Sequence, residues 1–276
     1  MSVPRETESS AAELFGAGLD VAQAYAEALA TTGVERGLIG PREVPRIWDR
    51  HLLNCVALKE LIPSGAELAD IGSGAGLPGL PLAIAQPELS VFLVEPLLRR
   101  VTWLRETVQA LGLSNVEIIR GRANAVAETG QMFDVVTARA VAPLPSLLEL
   151  CLPLVRPGGE LLAMKGDSAA QELADAAPLL EKLGAVSWSV VLCGEGVLET
   201  PTTVVRVVAG ARPKSRPTAA AGSARPAKSG QSAKPAKFTT PARPARPVGP
   251  KGSTTARRPG GGNGGRGTSQ GRSSGR

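Results

Sequence analysis

Apolar and polar positions follow two rhythms along the first 210 residues. Over Glu13–Leu29, Val21, Tyr25 and Leu29 recur at the spacing of a single helix face. A loop punctuated by Gly33, Gly37, Gly40, Pro41 and Pro45 follows, then a second helical stretch over Ile47–Leu61. Beyond it, short apolar runs alternate with helical stretches: strand Glu67–Ile71, a glycine-rich loop, a helix from Pro78, strand Val91–Glu95, and helix Leu97–Leu111. The last helix carries Leu97, Val101, Leu104, Val108 and Leu111 three to four residues apart, a core-facing stripe. Strands Val116–Ile119 and Phe133–Ala138 come next, followed by a helix near Leu144–Leu154, a turn at Pro157-Gly158-Gly159 and strand Glu160–Met164. A helix over Ala169–Leu183 leads to strands Val186–Leu192 and Thr203–Val208, with no helix between them. Alternation of this kind predicts an α/β fold with a mostly parallel, seven-stranded sheet covered on both faces and closed by an antiparallel hairpin. The early helices form a small N-terminal cap.

Charge divides the chain where the pattern stops. Of 276 residues, 31 are Lys or Arg and 25 Asp or Glu, a formal charge of +6. Residues 211–276 hold 15 basic residues and no acidic one, so the first 210 carry a formal charge of −9. Rich in Pro, Ala, Gly and Ser, with Phe238 its one aromatic, the tail cannot bury enough apolar surface to offset its ordering entropy. The expected organisation is a domain over residues 1–210, with a helical cap over 1–61 and a core over 62–210, and a disordered basic tail over 211–276. That tail either binds nucleic-acid phosphate as a polycation or only aids solubility.

Composition excludes several classes. No apolar run approaches the roughly 18 residues of a membrane span, and no secretory leader is visible. Cys55, Cys151 and Cys193 are odd in number and widely spaced, and His51 is the only histidine, so neither a disulfide scaffold nor a multi-histidine metal site is expected. The expectation is a cytoplasmic monomer in a reducing setting, without metal or membrane.

The central motif is Ala69-Asp70-Ile71-Gly72-Ser73-Gly74-Ala75-Gly76-Leu77-Pro78-Gly79. Gly74 to Gly79 matches the dinucleotide fingerprint G-x-G-x-x-G, and Glu95 at the end of the second strand suits ribose hydroxyls in either a dinucleotide or an S-adenosyl-L-methionine site. Three features favour the latter. Asp70 and Gly72 extend the run to D-x-G-x-G, where the carboxylate can face the cofactor's ammonium. The body is too short to add a hydride-acceptor domain. The closing hairpin is typical of Rossmann-like class I methyltransferases and foreign to ordinary dehydrogenases. The alternative, a turn serving chain reversal only, leaves the three glycines and both acids unexplained.

After the fourth strand the chain reads Val136-Thr137-Ala138-Arg139-Ala140-Val141-Ala142-Pro143. It lacks the N/D-P-P-Y segment that holds an exocyclic amine and the cysteine nucleophile that attacks a pyrimidine. No catalytic base is evident, which suits an acceptor with a free lone pair such as purine N7; catalysis then rests on positioning and desolvation. Arg139 is placed to hold a phosphate or guanine O6, or else to pair with Asp70 or Glu95. Lys165 is a second substrate-positioning candidate, for phosphate, against a solvated strand end. Ala123 and Asn124 border the expected adenine pocket. Arg99 and Arg100 hint at an RNA face or simply form a solvated helix start. His51 and Asn54 either contact the cleft from the cap or pack helices. Trp48 and Trp103 read as core.

Together these residues resemble the bacterial small-subunit rRNA guanine-N7 methyltransferase family called RsmG or GidB. The resemblance runs from about Arg50 to Val208 and rests on Arg50-His51-Leu52-Leu53, on Asp70 to Leu82 with its unusual double proline (Pro78, Pro81), on Arg139-Ala140 and on Met164-Lys165-Gly166. It implies methylation of guanine N7 at position 527 of 16S rRNA, in free rRNA or in the small ribosomal subunit. It also implies cofactor contacts at Gly72, Leu77, Ala123, Asn124 and Arg139, beside Asp70, Gly74 and Glu95 read from the loop. The chain departs from the family at Asn54, where many members have Asp, at Glu95 in place of Asp, and over Thr32–Arg46. Two other readings stay open: a small-molecule methyltransferase, and a non-catalytic RNA-binding or assembly protein.

Overall fold

The computed structural model describes residues 1–139 and 142–211. The expected basic tail, from Arg212 on, lies outside the described residues, as do Ala140 and Val141.

Seven strands form one sheet: β1 (Glu67–Ile71), β2 (Ser90–Val94), β3 (Val116–Ile119), β4 (Phe133–Arg139), β5 (Val155–Met164), β6 (Ala185–Cys193) and β7 (Thr202–Ala209). Their order is β3-β2-β1-β4-β5-β7-β6. The first five run parallel, and β7 inserts antiparallel between β5 and β6. The chain order reverses between β1 and β4. At such a switch point the loops after the two strands diverge and leave a crevice over their carboxyl ends. The glycine loop follows β1, and Arg139 ends β4.

Residues 68–71 of β1 are all buried, as expected of a central strand covered on both faces. Side-chain alternation then sorts its residues. Leu68 and, on β4, Val135 pack with the N-terminal helices and with Trp48 and Trp103, both in the core. Ala69, Ile71, Val136 and Ala138 face the opposite core, with the helices Leu144–Cys151 and Ala169–Lys182. By the same alternation Asp70 and Arg139 point to the N-terminal side of the sheet.

Several boundaries differ from the sequence reading. The expected single helix over 13–29 is two, Glu8–Phe15 and Leu19–Ala28, broken by a 3₁₀ turn at Gly16–Gly18 and ending in a π-helical turn over Leu29–Gly33. Gly16 has φ 51°, which a regular helix does not accommodate. Ile47–Leu53 winds as a π-helix, a form frequent at functional sites, before Asn54–Val56 and a 3₁₀ turn. A short helix, Ala123–Glu128, unseen in the periodicity because it spans only six residues, makes the crossover between β3 and β4. Strand β5 begins at Val155, so the expected turn at Pro157–Gly159 is an irregularity within a paired strand, where the register with β4 shifts. Helix Leu144–Cys151 ends earlier than expected and continues as a 3₁₀ turn. Among the described residues, no helix is long and apolar enough to cross a membrane.

Candidate active site

The glycine loop turns sharply out of β1. Gly72, Gly74 and Gly76 have φ of 72°, 59° and 89°, conformations that L side chains rarely adopt. Gly72 and Ser73 donate backbone hydrogen bonds to the Val94 carbonyl at the end of β2 (2.9 and 3.3 Å), and Leu80 donates to Gly76 at 2.7 Å, entering helix Gly79–Ala85. At Gly76 a Cβ would lie 2.4 Å from Leu80 Cδ1, so packing as well as conformation demands glycine. At Gly74 a Cβ would meet only the Gly72 carbonyl, at 3.8 Å. That side of the loop is open for a ligand to approach the backbone.

Asp70 is fully buried beneath this loop. Its Oδ2 accepts from the Gly79 N–H at 3.0 Å, while Oδ1 is buried without a partner. Burial pushes its carboxyl up to about 7, against the opposing effects of the Gly79 hydrogen bond, of the nearby Ser73 hydroxyl, which donates to the Asp70 backbone carbonyl, and of Arg139. A buried carboxylate oxygen with no donor fits an ammonium group, as the D-x-G-x-G reading expects. Glu95, also buried, accepts from Gly74 N–H (3.0 Å) through Oε2 and from Leu97 N–H (2.9 Å) through Oε1. It therefore ties the end of β2 to the loop, and Oε1, with one donor, keeps a lone pair that a ribose hydroxyl could use. Arg100, at a helix start and with its side chain 35% exposed, reaches Glu95 Oε2 at 3.4 Å, so it braces Glu95 while remaining partly solvated. Ala123, buried, and Asn124, exposed, begin the crossover helix beside Gly121, whose N–H bonds the Glu95 carbonyl at 3.3 Å.

The sequence reading did not foresee what holds these parts together. Tyr25, fully buried on the second N-terminal helix, donates to the Ala75 carbonyl at 2.7 Å and so pins the cap to the glycine loop. Its stripe position marked it as core, and nothing in the spacing showed where the hydroxyl lands. Arg139 pairs with neither Asp70 nor Glu95. Its Nη2 donates to His51 Nδ1 (2.5 Å) and its Nη1 to Cys55 Sγ (3.2 Å). With Nδ1 accepting, the imidazole proton is on Nε2, which donates to Glu43 Oε2 at 2.9 Å. Burial, then the Arg139 charge, hold His51 below the usual histidine range, so it is neutral near pH 7. Burial pushes the Cys55 thiol up to about 11, which keeps it protonated.

Lys165 does not stand free. Its Nζ lies 2.7 Å from Glu172 Oε2, so a phosphate at this position competes with a carboxylate already in place. Beyond Arg139, over the ends of β4 and β5 and the start of β7, opens a cavity of about 510 Å³ lined by Arg50, Asn54, Arg139, Lys165 and Asp167 among others. That volume is typical of small-ligand pockets. Cysteines 55, 151 and 193 are buried free thiols, and among the described residues no cluster of His, Cys, Asp or Glu is arranged to hold a metal.

A family model described as rRNA small subunit methyltransferase G (GidB) matches residues 19–200. The chain is 55% identical over 230 residues to the ribosomal RNA small subunit methyltransferase G of Salinispora arenicola, spanning 79% of this chain and 95% of that protein. It is 56% identical over 203 residues to the protein of the same name from Streptomyces avermitilis, spanning 74% and 85%. Among solved structures it is similar to NSun6 from Pyrococcus horikoshii, at 12% identity over 59% of this chain and 53% of that one, with a TM-score of 0.47.

Proposed function

The chain belongs to the GidB family of small-subunit rRNA methyltransferases, and from that premise we propose that it methylates guanine N7 of 16S rRNA, at position 527 as the sequence resemblance implies. The observation that carries this reading is the adjacency of two features. A glycine loop stands over a buried Asp70 oxygen that lacks a donor, and a cavity of nucleotide size opens beyond Arg139 at the neighbouring strand ends.

S-adenosyl-L-methionine, when bound, supplies an electrophilic methyl group. The residues present fit it: Asp70 Oδ1 for its ammonium, the backbone of Gly72, Gly74 and Leu77 along its chain, Glu95 for ribose hydroxyls, and Ala123 and Asn124 beside the adenine. Guanine N7 carries its lone pair in the ring plane and no proton, so the transfer calls for no general base. His51 has both ring nitrogens engaged, by Arg139 and Glu43, and works as a support. Arg139, held on two sides from the cap, presents a fixed cation at the boundary between loop and cavity, where guanine O6 or a phosphate would meet it. The protein's contribution is therefore orientation and exclusion of water.

Residues 1–210 form the catalytic domain in this reading. The tail over 211–276 acts as an unspecific electrostatic anchor to RNA, and the protein works as a cytoplasmic monomer away from membranes. The test is to incubate it with labelled S-adenosyl-L-methionine and, separately, small subunits, naked 16S rRNA and small-molecule pools, then map the label. N7-methylguanosine in rRNA is the expected product. Label in small molecules but never in rRNA overturns the reading.

A further inference from the structure

The cavity beyond Arg139 has an uneven lining. On the side toward β1, Arg139 presents a cation; on the far side, Asp167 in the loop after β5 and Glu172 on the following helix bring two carboxylates. Glu172 is spoken for: Oε2 lies 2.7 Å from Lys165 Nζ and accepts from Leu144 N–H at 3.2 Å, and Oε1 accepts from Ser168 Oγ at 2.7 Å. Asp167 is exposed and makes no hydrogen bond or ion pair among the described residues. Beside the Lys165–Glu172 pair, the lining therefore offers Arg139 and Arg50 as cationic donors, and the Asp167 carboxylate as a charged acceptor with no partner among the described residues.

Guanine has the complementary asymmetry. Its O6/N7 edge only accepts, and its N1–H and N2–H₂ groups only donate. A guanine whose N7 faces the glycine loop directs its donor edge toward the loop after β5. Adenine would place its N6 amino group against Arg139, and its ring has no N1–H to offer a carboxylate. A base embedded in folded RNA reaches such a pocket only by leaving its stack, as bases do in other enzymes that modify them.

We propose that this cavity seats the extruded target guanine, with Asp167 accepting hydrogen bonds from its N1–H and N2–H₂ and so selecting guanine. The proposal rests on the guanine-N7 reading above. Asp167 is a specificity-determining residue remote from the glycine loop.

The test uses the full chain and small subunits assembled from 16S rRNA that carries either guanosine or inosine at the target position. Inosine keeps N7, O6 and N1–H but lacks the 2-amino group. The wild type is expected to favour guanosine in kcat/KM by about 10-fold or more. Asp167→Ala should lower kcat/KM for guanosine by about 10- to 100-fold, bring the guanosine-to-inosine ratio close to one, and leave cofactor affinity unchanged. Asp167→Asn, retaining one acceptor oxygen, should give an intermediate ratio; it decides the matter if the alanine variant also loses cofactor binding. A variant that keeps the wild-type ratio overturns the assignment of Asp167. A wild type that leaves the target guanine unmethylated overturns the guanine-N7 reading itself, a distinguishable result.

Discussion

Replacing Asp70 by Asn separates the cost of the buried carboxylate from its use. In the folded protein the carboxyl titrates near 7, against 3.8 for an ordinary aspartate. Between those values the unfolded chain has released the proton and the folded one has kept it, so the folded state binds more protons and stability falls as pH rises. Roughly three pKa units correspond to at most about 4 kcal/mol by pH 8. Asn removes that loss but puts an amide N–H where Oδ1 is buried unpartnered, costing about 1–3 kcal/mol. Below pH 5 the variant should therefore be less stable than the wild type, and at pH 8 equally or more stable by about 1–3 kcal/mol. Cofactor affinity should behave oppositely. Loss of a charge-assisted partner for the ammonium should weaken it about 10- to 100-fold. In the wild type, affinity should fall about tenfold per unit as pH drops below 7, because only the ionised carboxylate serves, whereas Asp70→Asn should be flat. Urea titrations from pH 5 to 8 and calorimetric binding of the cofactor read both effects. Parallel stability profiles in the two proteins, or unchanged affinity, would refute the reasoning.

Other expectations follow from the same geometry. Tyr25→Phe leaves the Ala75 carbonyl unpartnered and should cost about 1–3 kcal/mol in chemical denaturation, together with weaker cofactor binding; an unchanged denaturation midpoint would show that the cap is not fastened through this bond. His51 is the sole histidine, so its titration can be followed by NMR without overlap. It should lie below the ordinary histidine range, rise in Arg139→Ala and fall further in Glu43→Gln, since the arginine lowers it and the carboxylate raises it. Its stability contribution is intact above pH 6.5 and lost below, where the unfolded chain takes up the proton first. Gly74→Val should fold with a strain of about 1–2 kcal/mol yet lose cofactor binding, whereas Gly76→Ala should be destabilised before any ligand is added, because its Cβ meets Leu80.

Elements whose signal is local were legible in the sequence. Short apolar runs placed all seven strands and period-3.6 patterning the Leu98–Ala110 helix, because a central strand is apolar on both faces and an amphipathic helix on one. The D-x-G-x-G run marked the loop for the same kind of reason: positive φ at three closely spaced positions is a property of glycine itself. The short crossover helix at Ala123–Glu128 escaped because six residues carry too little periodicity.

Partners across the fold were beyond the reach of spacing. Arg139 and His51 stand 88 positions apart, Tyr25 and Ala75 50. Which polar group a side chain meets is decided by strand order and by which face of β1 and β4 each residue occupies. The sequence could single out Arg139 and could weigh Asp70 or Glu95 as its partner. Only the packing of the N-terminal cap against the sheet gave it His51 and Cys55 instead, and left Asp70 buried with one oxygen unpaired. Lys165, by its place at a strand end, looked free for phosphate, and Glu172 from the following helix holds it. Local patterning thus determined the scaffold and the glycine loop. Long-range contacts, whose geometry is fixed only when both cores close, decided how the site's charges are shared.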